Sequence, residues 1–347
     1  MRLRPSPRAA EDRRGSEEGG EPPNAAPSLL DEVRARCADV ARRARHVRVE
    51  PRRVPGYAAE LAQAALAGGR PEVDPDSHHL DRGEETVAFF LTLDAVNFGS
   101  GYFPHLRKRP GLSGYFTVAT SLKEQFEEHG AFTAEELTRI TAEECGRIFG
   151  QAGASGPVAE LMRLFANALN DLGVWLLDGF GGDFIGPVAA AGGSAERLVE
   201  RLIEMPYFRD VSRHDGSEVP FYKRAQITAA DLHFAFGGEG AGEFTDLDRL
   251  TIFADNLVPH VLRVDGLLTY APALAARVDA EELIPPGSSE EIEIRACALH
   301  AVELLVRELD GGSDPVNAMR LDYLLWNRGQ GAGYKARPRH RTRTVYY

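Results

Sequence analysis

Apolar residues recur every three or four positions along most of this chain, which is the spacing typical of amphipathic helices. The pattern begins at Ser28, a residue type that often caps helices and that an apolar-periodic run follows here. Thr133 with Glu136, and Thr141 with Glu144, form two capping-box patterns that mark further helix starts. The remaining strong helix predictions cover residues 85–98, 158–177, 195–205, 247–256, 290–309 and 321–326.

Strand-like segments are short and few. They are predicted at residues 47–49, 115–117 and 342–346. Residues 1–27 are rich in Arg, Pro, Gly and Glu and nearly lack apolar side chains, so we predict a disordered N-terminal tail there. The chain is therefore predicted to be mostly α, with a few short strands and a single helical domain over residues 28–347.

The composition favours a globular protein over a membrane protein or a nucleic-acid-binding protein. The chain has 347 residues, 43% hydrophobic and 27% charged, which is ordinary for a globular protein. No apolar run is long enough to cross a bilayer, so no membrane partner is expected. The net charge of −12 disfavours a stable complex with nucleic acid, although a basic run closes the chain. Cys37, Cys145 and Cys297 are widely separated, which fits a reducing cytoplasm better than a disulfide framework.

The common cofactor and metal signatures are missing from the sequence. It contains no GxxxxGK[ST] loop, no strand-linked GxGxxG, no HExxH and no GxSxG. His78 and His79 are adjacent, a spacing that seldom lets two side chains converge on one metal ion. We therefore expect neither a cofactor nor a metal site.

The most informative carboxylate, Asp231, lies in the stretch FYKRAQITAADLHFAF (residues 221–236). Most other acids occur in charged runs typical of solvated helix faces, whereas this one has Ala, Leu and Phe as neighbours. Because an unpaired buried carboxylate is costly, an acid kept there has a partner or a function. The alternative is that Thr228 caps a helix and Asp231 completes its capping box.

Three other segments combine polar and aromatic residues. Asp94 and Asn97 are three residues apart at a predicted helix end, followed by Phe98 and Tyr102, whose rings suit either stacking or the core. Asp255 lies in an apolar run; its carboxylate suits a ligand's N–H groups or an ion pair with an arginine such as Arg295. Trp326 belongs to the core or to a pocket wall. Together these segments indicate a nucleoside or nucleotide pocket.

The same segments resemble the queuosine salvage protein family, the queuosine 5′-phosphate N-glycosylase/hydrolases. The resemblance runs from about residue 28 to 347. It rests on the segment 94–103 and on FYKRAQITAADL, FADNLVPHVL, EIEIRACALHAVELL, LDYLLW and the closing HRTRTVYY. The family often reads FADYRVPQ where this chain has FADNLVPH, so Asn256 and His260 receive no catalytic role.

The resemblance implies a helical fold similar to helix-hairpin-helix DNA glycosylases. It also implies hydrolysis of queuosine 5′-monophosphate to queuine and ribose 5-phosphate, with Asp231 as the catalytic carboxylate. The base is a 7-deazapurine and has no N7 to protonate, so donors must stabilise its departure elsewhere. The implied substrate-binding residues are Asp94, Asn97, Phe98, Tyr102, Lys223, Gln226, Asp255, Trp326 and Arg343.

Within that set, Asp94 or Asp255 is expected to pair with the cationic amine arm of the base or with its guanine-like N–H edge. Lys223 is expected to bind the 5′-phosphate, with Arg343 in support. Three alternatives stay open from the sequence: a nucleic-acid-binding or DNA-repair glycosylase on the same scaffold, a non-catalytic queuine-binding protein, and a helical interaction protein.

Overall fold

The computed structural model describes residues 28–67, 73–310 and 316–347, so the predicted tail at 1–27 lies outside the described residues. The described chain is mostly helical, as predicted. Its helices are α1 (Leu29–Arg43), α2 (Val54–Ala67), α3 (Glu84–Ala95), α4 (Gly114–His129), α5 (Ala134–Leu137), α6 (Ala142–Ile148), α7 (Gly156–Phe180), α8 (Gly186–Ala191), α9 (Ala195–Leu202), α10 (Lys223–Ala235), α11 (Leu257–Val264), α12 (Pro272–Asp279), α13 (Ser289–Leu309), α14 (Ala318–Gly329) and α15 (Ala332–Lys335).

Two small antiparallel sheets join these helices. Strand β1 (Val47–Val49), which the sequence predicts, pairs with β4 (Leu268–Tyr270). Strands β2 (Val211–His214) and β3 (Ser217–Pro220) form a hairpin. The hairpin turn is Asp215–Gly216, and both residues have positive φ, as a tight two-residue turn requires.

The helix starts read from the sequence are confirmed by their caps. The Ser28 hydroxyl accepts a hydrogen bond from the Asp31 amide at 3.3 Å. Both capping boxes form: the Thr133 and Thr141 hydroxyls each accept from an amide three residues on, and the carboxylates reach back. The long predicted helices correspond to α3, α7, α9, α13 and α14.

Two predicted strands are wrong. Residues 115–117 belong to the first turn of α4, where the Ser113 hydroxyl accepts from the Phe116 amide at 3.3 Å. The cap and the packing of this helix override the strand preference of Tyr, Phe and Thr. Residues 342–346 form no strand; the nearest pairing is a single bridge between Leu283 and Arg341. The alternation of residue types in this segment corresponds to burial and not to a strand, because Thr342 and Thr344 are buried.

The helix predicted over 247–256 is also wrong. A short 3-10 turn, Leu247–Arg249, leads into an extended segment, and α11 begins only at Leu257. The Gln226 side chain accepts from the Thr251 amide at 2.8 Å and donates to the Thr251 hydroxyl at 2.9 Å. These bonds from a distant helix replace the local bonds that a helix would make.

Packing around two long helices fixes the position of the site. α13 packs against α1, α2 and β1, and α7 packs against α5, α6 and α3. α10 lies between α3 and α9, which sets the end of α3 beside the face of α10. Within the described ranges, no helix is both long enough and apolar enough to cross a membrane.

Candidate active site

A cavity of about 760 Å³ opens between α10, α14, the start of α4 and the segment that follows α15. This volume lies within the range typical of small-molecule sites. Its wall combines acidic, basic and aromatic side chains from segments that are far apart in sequence.

One face of α10 lines the cavity. Lys223, Ile227, Asp231 and Phe234 line the wall, and their spacing of three or four residues places them along one side of the helix. The Thr228 hydroxyl donates to the Arg224 carbonyl at 2.9 Å in the helix interior. The alternative in which Thr228 and Asp231 form a capping box is therefore wrong.

Asp231 has an unsatisfied carboxylate. Its Oδ2 atom is inaccessible to solvent, and no described residue hydrogen-bonds to it. Burial raises the pKa of Asp231 well above its usual range, the nearby Asp94 carboxyl raises it further, and the Lys223 ammonium opposes both effects. A buried acid without a hydrogen-bond partner costs stability, so this arrangement indicates a group kept for a ligand.

Asp94 lies at the end of α3 and does not line the cavity. It is fully buried (0% exposed), and its Oδ1 accepts from the Asn97 side-chain amide at 3.1 Å. Its Oδ2 has no described hydrogen-bond partner. Burial raises the pKa of Asp94 to about 6, against the lowering effect of the Asn97 hydrogen bond and of Lys223. Its position favours an influence on Asp231 over the predicted ligand contact.

Lys223 is the buried cation of the cavity. Only 6% of the residue is exposed, and its ammonium makes no hydrogen bond or ion pair with the described residues. Burial lowers its pKa, while Asp255 and Asp94 raise it. An ammonium held in this way can bind an anionic group of a ligand.

Asp255 also lines the cavity, and it caps α11. Its Oδ1 accepts from the amides of Leu257 at 2.7 Å and Val258 at 3.1 Å. The alternative ion pair with Arg295 is wrong, because that guanidinium binds Asp210 and Glu291 instead.

Asp322 on α14 is a lining acid that the sequence analysis did not select. It is 5% exposed, and its Oδ1 accepts from the Phe253 amide at 2.9 Å. Burial, with a contribution from the Asp255 charge, raises its pKa to about 8. The signal in the sequence was its position four residues before Trp326, on the same side of one helix.

Aromatic rings form another part of the cavity wall. Trp326 lines the cavity, and its ring centroid lies 6.3 Å from that of Tyr115 and 6.0 Å from that of Phe116. Phe98 reaches the cavity edge but is mainly a core residue, with its ring edge-on to Phe165 at 5.1 Å. The sequence did not indicate Tyr115 and Phe116 as site residues, because their segment was predicted to be a strand.

Besides Asp94, three predicted binding residues are not brought to the cavity wall. Gln226 is buried, with its amide bonded to Phe221 and Thr251. The Tyr102 hydroxyl donates to Glu160 at 3.2 Å. The guanidinium of Arg343 packs over the Tyr102 ring. These bonds explain the three residues as structural elements of the fold.

The basic residues that do line the cavity come mainly from the same closing run, at other positions. They are Lys108, Lys335, Arg337, Arg339 and Arg341. The Arg341 guanidinium is bound by Glu281. Burial lowers the pKa of Arg339, while the Asp255 carboxylate raises it, so Arg339 lies on the side of that acid. The sequence shows this basic run, but only the path of the chain places Arg339 and Arg341 on the cavity and Arg343 away from it.

Comparisons with known proteins identify the family of this chain. The family model described as "Queuosine salvage protein" matches residues 77–347. A protein of Sphaerobacter thermophilus named "Queuosine 5'-phosphate N-glycosylase/hydrolase" is 40% identical over 297 residues, covering 83% of this chain and 91% of that protein.

Two eukaryotic proteins with the same name also match. The one from Mus musculus is 33% identical over 310 residues, covering 84% of this chain and 91% of its own length. The one from Dictyostelium discoideum is 32% identical over 278 residues, covering 80% and 83%. The match of the family model to most of the described residues, together with these relatives, shows that this chain belongs to the queuosine salvage protein family.

Proposed function

We propose that this chain hydrolyses the N-glycosidic bond of queuosine 5′-monophosphate and releases queuine and ribose 5-phosphate. The observation that carries the proposal is Asp231, an acid on the cavity wall with one carboxylate oxygen that no described residue satisfies. The names of the relatives supply the substrate, and the chemistry of the cavity is compatible with it.

The proposed reaction uses Asp231 under the anomeric carbon. Breaking the bond between C1′ and the base builds positive charge on the ribose ring, and a carboxylate below it stabilises that charge, attacks it or directs water to it. Burial and Asp94 favour the protonated form of Asp231, whereas the Lys223 ammonium favours the carboxylate, which is the form that reacts. A developing cation favours the carboxylate, so the interaction is strongest in the transition state.

The other walls suit the remaining parts of the substrate. Trp326, with Tyr115 and Phe116 behind it, offers a stacking surface for the 7-deazapurine. Asp255 is the lining acid proposed for the N–H edge or the amine arm of the base. We propose Lys223 as the first contact of the 5′-phosphate, with Arg339 in the supporting role first predicted for Arg343.

We further propose that residues 28–347 act as one catalytic domain related in fold to the helix-hairpin-helix DNA glycosylases. The mostly helical architecture is compatible with this relationship. A reducing cytoplasm remains the predicted location, and it is compatible with three buried free cysteines. The mechanism uses only side chains of the chain and water.

The experiment is incubation of the purified chain with queuosine 5′-monophosphate and detection of queuine and ribose 5-phosphate by mass spectrometry. We expect both products in equal amounts. The control variant is Asp178→Asn, an exposed aspartate on α7, which should match the wild type. Binding of queuine without any ribose 5-phosphate would support the non-catalytic carrier, and salt-sensitive binding to duplex DNA would support the repair glycosylase.

A further inference from the structure

Asp322 combines several structural features that the proposed role of Asp231 does not use. It lines the cavity, and only 5% of it is exposed. Its Oδ1 is held by the Phe253 amide at 2.9 Å, and no other described residue hydrogen-bonds to the carboxyl group. Because Oδ1 is held by a rigid backbone donor, Oδ2 is free for a ligand and has a fixed direction.

The neighbours of Asp322 identify the part of a ligand that it faces. Asp322 and Trp326 are separated by one turn of α14, and both line the cavity, so their side chains lie on one face of the helix. Asp231 lines the same cavity from α10. An aromatic heterocycle stacked on Trp326 therefore has Asp322 beside it, whereas a sugar attached to that heterocycle points toward Asp231.

The charges around Asp322 favour its neutral form. Burial is the largest effect and Asp255 the next; together they raise the pKa to about 8, whereas the Phe253 amide and Lys223 lower it. Asp231 also lines the cavity, and the Asp322 charge contributes to raising the pKa of Asp231. A carboxylic acid that keeps its proton near neutral pH is suited to donate it to a leaving group.

We propose that Asp322 is the general acid of this site, which protonates the base as it leaves. This inference rests on the function proposed above. The bond between C1′ and the base nitrogen breaks, and its electron pair goes to the base. The proton of Asp322 passes to the base, so the base leaves neutral and Asp322 becomes a carboxylate. Asp231 is the carboxylate in the reacting form; water supplies the hydroxyl group at C1′, and the proton of that water goes to Asp231. Solvent then exchanges protons with both acids and restores the starting state.

The test uses two substrates that differ in their need for an acid. Queuosine 5′-monophosphate has a poor leaving group, whereas 4-nitrophenyl β-D-ribofuranoside 5-phosphate releases 4-nitrophenolate, which leaves without a proton. We expect Asp322→Asn to lower kcat on the first substrate by about 10²- to 10⁴-fold, and on the second by less than about tenfold. Asp231→Asn should impair both, and Asp178→Asn neither.

A pH profile on queuosine 5′-monophosphate gives a second measurement. Wild-type kcat/KM should fall as the pH rises past about 8, the pKa of Asp322 in the free protein, and Asp322→Asn should lack this fall. Asp322→Glu keeps an acid and should retain the fall with a partly restored rate. If the nitrophenyl compound is not turned over at all, this pH profile alone tests the role of Asp322. Thermal denaturation confirms that each variant is folded.

Three results would overturn the assignment of Asp322. One is an equal loss of kcat on both substrates, the second is an effect confined to KM, and the third is an alkaline fall that persists in Asp322→Asn. If the wild type releases no queuine from queuosine 5′-monophosphate, the proposed function itself fails. If the wild type and Asp322→Asn release it equally well, only the role of Asp322 fails.

Discussion

Two groups of buried charges in this protein have similar burial but opposite hydrogen bonding. Around α13, the Arg295 guanidinium binds Asp210 at 2.5 and 3.1 Å, Glu291 at 3.4 Å and the Ala254 carbonyl at 2.8 Å. The Phe221 ring covers it at 3.9 Å. The guanidinium of Arg295 therefore donates its hydrogen bonds to groups of the protein itself.

The second group lies at and behind the cavity, and its charges are incompletely matched. Asp94 and Asp231 each have an Oδ2 atom without a described hydrogen-bond partner. The Lys223 ammonium forms no ion pair with the described residues. The difference teaches that burial alone does not separate structural charges from functional ones, and that these two groups differ in how fully their hydrogen bonds are satisfied.

Asp231→Asn should give the largest effect. Removing the charge under C1′ should lower kcat for queuosine 5′-monophosphate by about 10³-fold or more. Stability should be equal or higher, because the change removes an unsatisfied buried acid. Queuine release and thermal denaturation measure the two outcomes. Turnover within tenfold of the wild type would remove Asp231 from the chemistry.

Arg295→Met should give the largest loss of stability. The change leaves Asp210 and Glu291 buried without their cation, which costs about 3–5 kcal/mol in the free energy of unfolding. Urea denaturation at neutral pH measures this cost. The folded fraction should keep most of its kcat, since Arg295 does not line the cavity. A variant that is stable but has lost its turnover would contradict this prediction, because Arg295 would then serve the reaction and not the fold.

Lys223→Met should act on selectivity more than on stability. The change removes a charged contact to the phosphate, worth about 1.5–3 kcal/mol, which corresponds to a roughly 10- to 100-fold loss in preference for the monophosphate over the nucleoside. Comparison of kcat/KM for the two substrates measures it. An unchanged preference would shift the phosphate contact to Arg339, and the matched variant Arg339→Met then tests that residue.

Asp322→Asn should change the stability in a way that depends on pH. The folded pKa of Asp322, about 8, lies above its unfolded value, so the folded state binds more protons between these values. Its contribution to wild-type stability is therefore complete below the unfolded pKa and is lost as the pH rises toward 8. The variant lacks this loss, so its stability relative to the wild type should increase over that window. A difference independent of pH, with Asp178→Asn as control, would contradict the shift.

Local signals explain most of what the sequence predicted correctly. The caps at Ser28, Thr133 and Thr141 are confirmed because a cap needs only residues three positions apart. Asp231 could be identified from the sequence because its apolar neighbours are adjacent to it along the chain. Lys223, which the family resemblance implied as a binding residue, lines the same face of α10 as Asp231.

Long-range contacts explain the errors. The helix predicted over 247–256 gives way to an extended segment because Gln226 binds the Thr251 backbone from 25 positions away. Arg343 was chosen from the closing run, but the path of that segment places Arg339 on the cavity and Arg343 over Tyr102. No local pattern distinguishes these two arginines.

The sequence by itself determined the helical periodicity, the caps and the acid on α10, since each depends on neighbours within a few turns. Only the tertiary structure decided which charges are paired. It brought Asp210 to Arg295 across 85 positions and left Asp231 and Asp322 facing one cavity from two helices. The physical reason is that the state of a buried charge depends on the atoms that surround it in space, and most of those atoms come from distant parts of the chain.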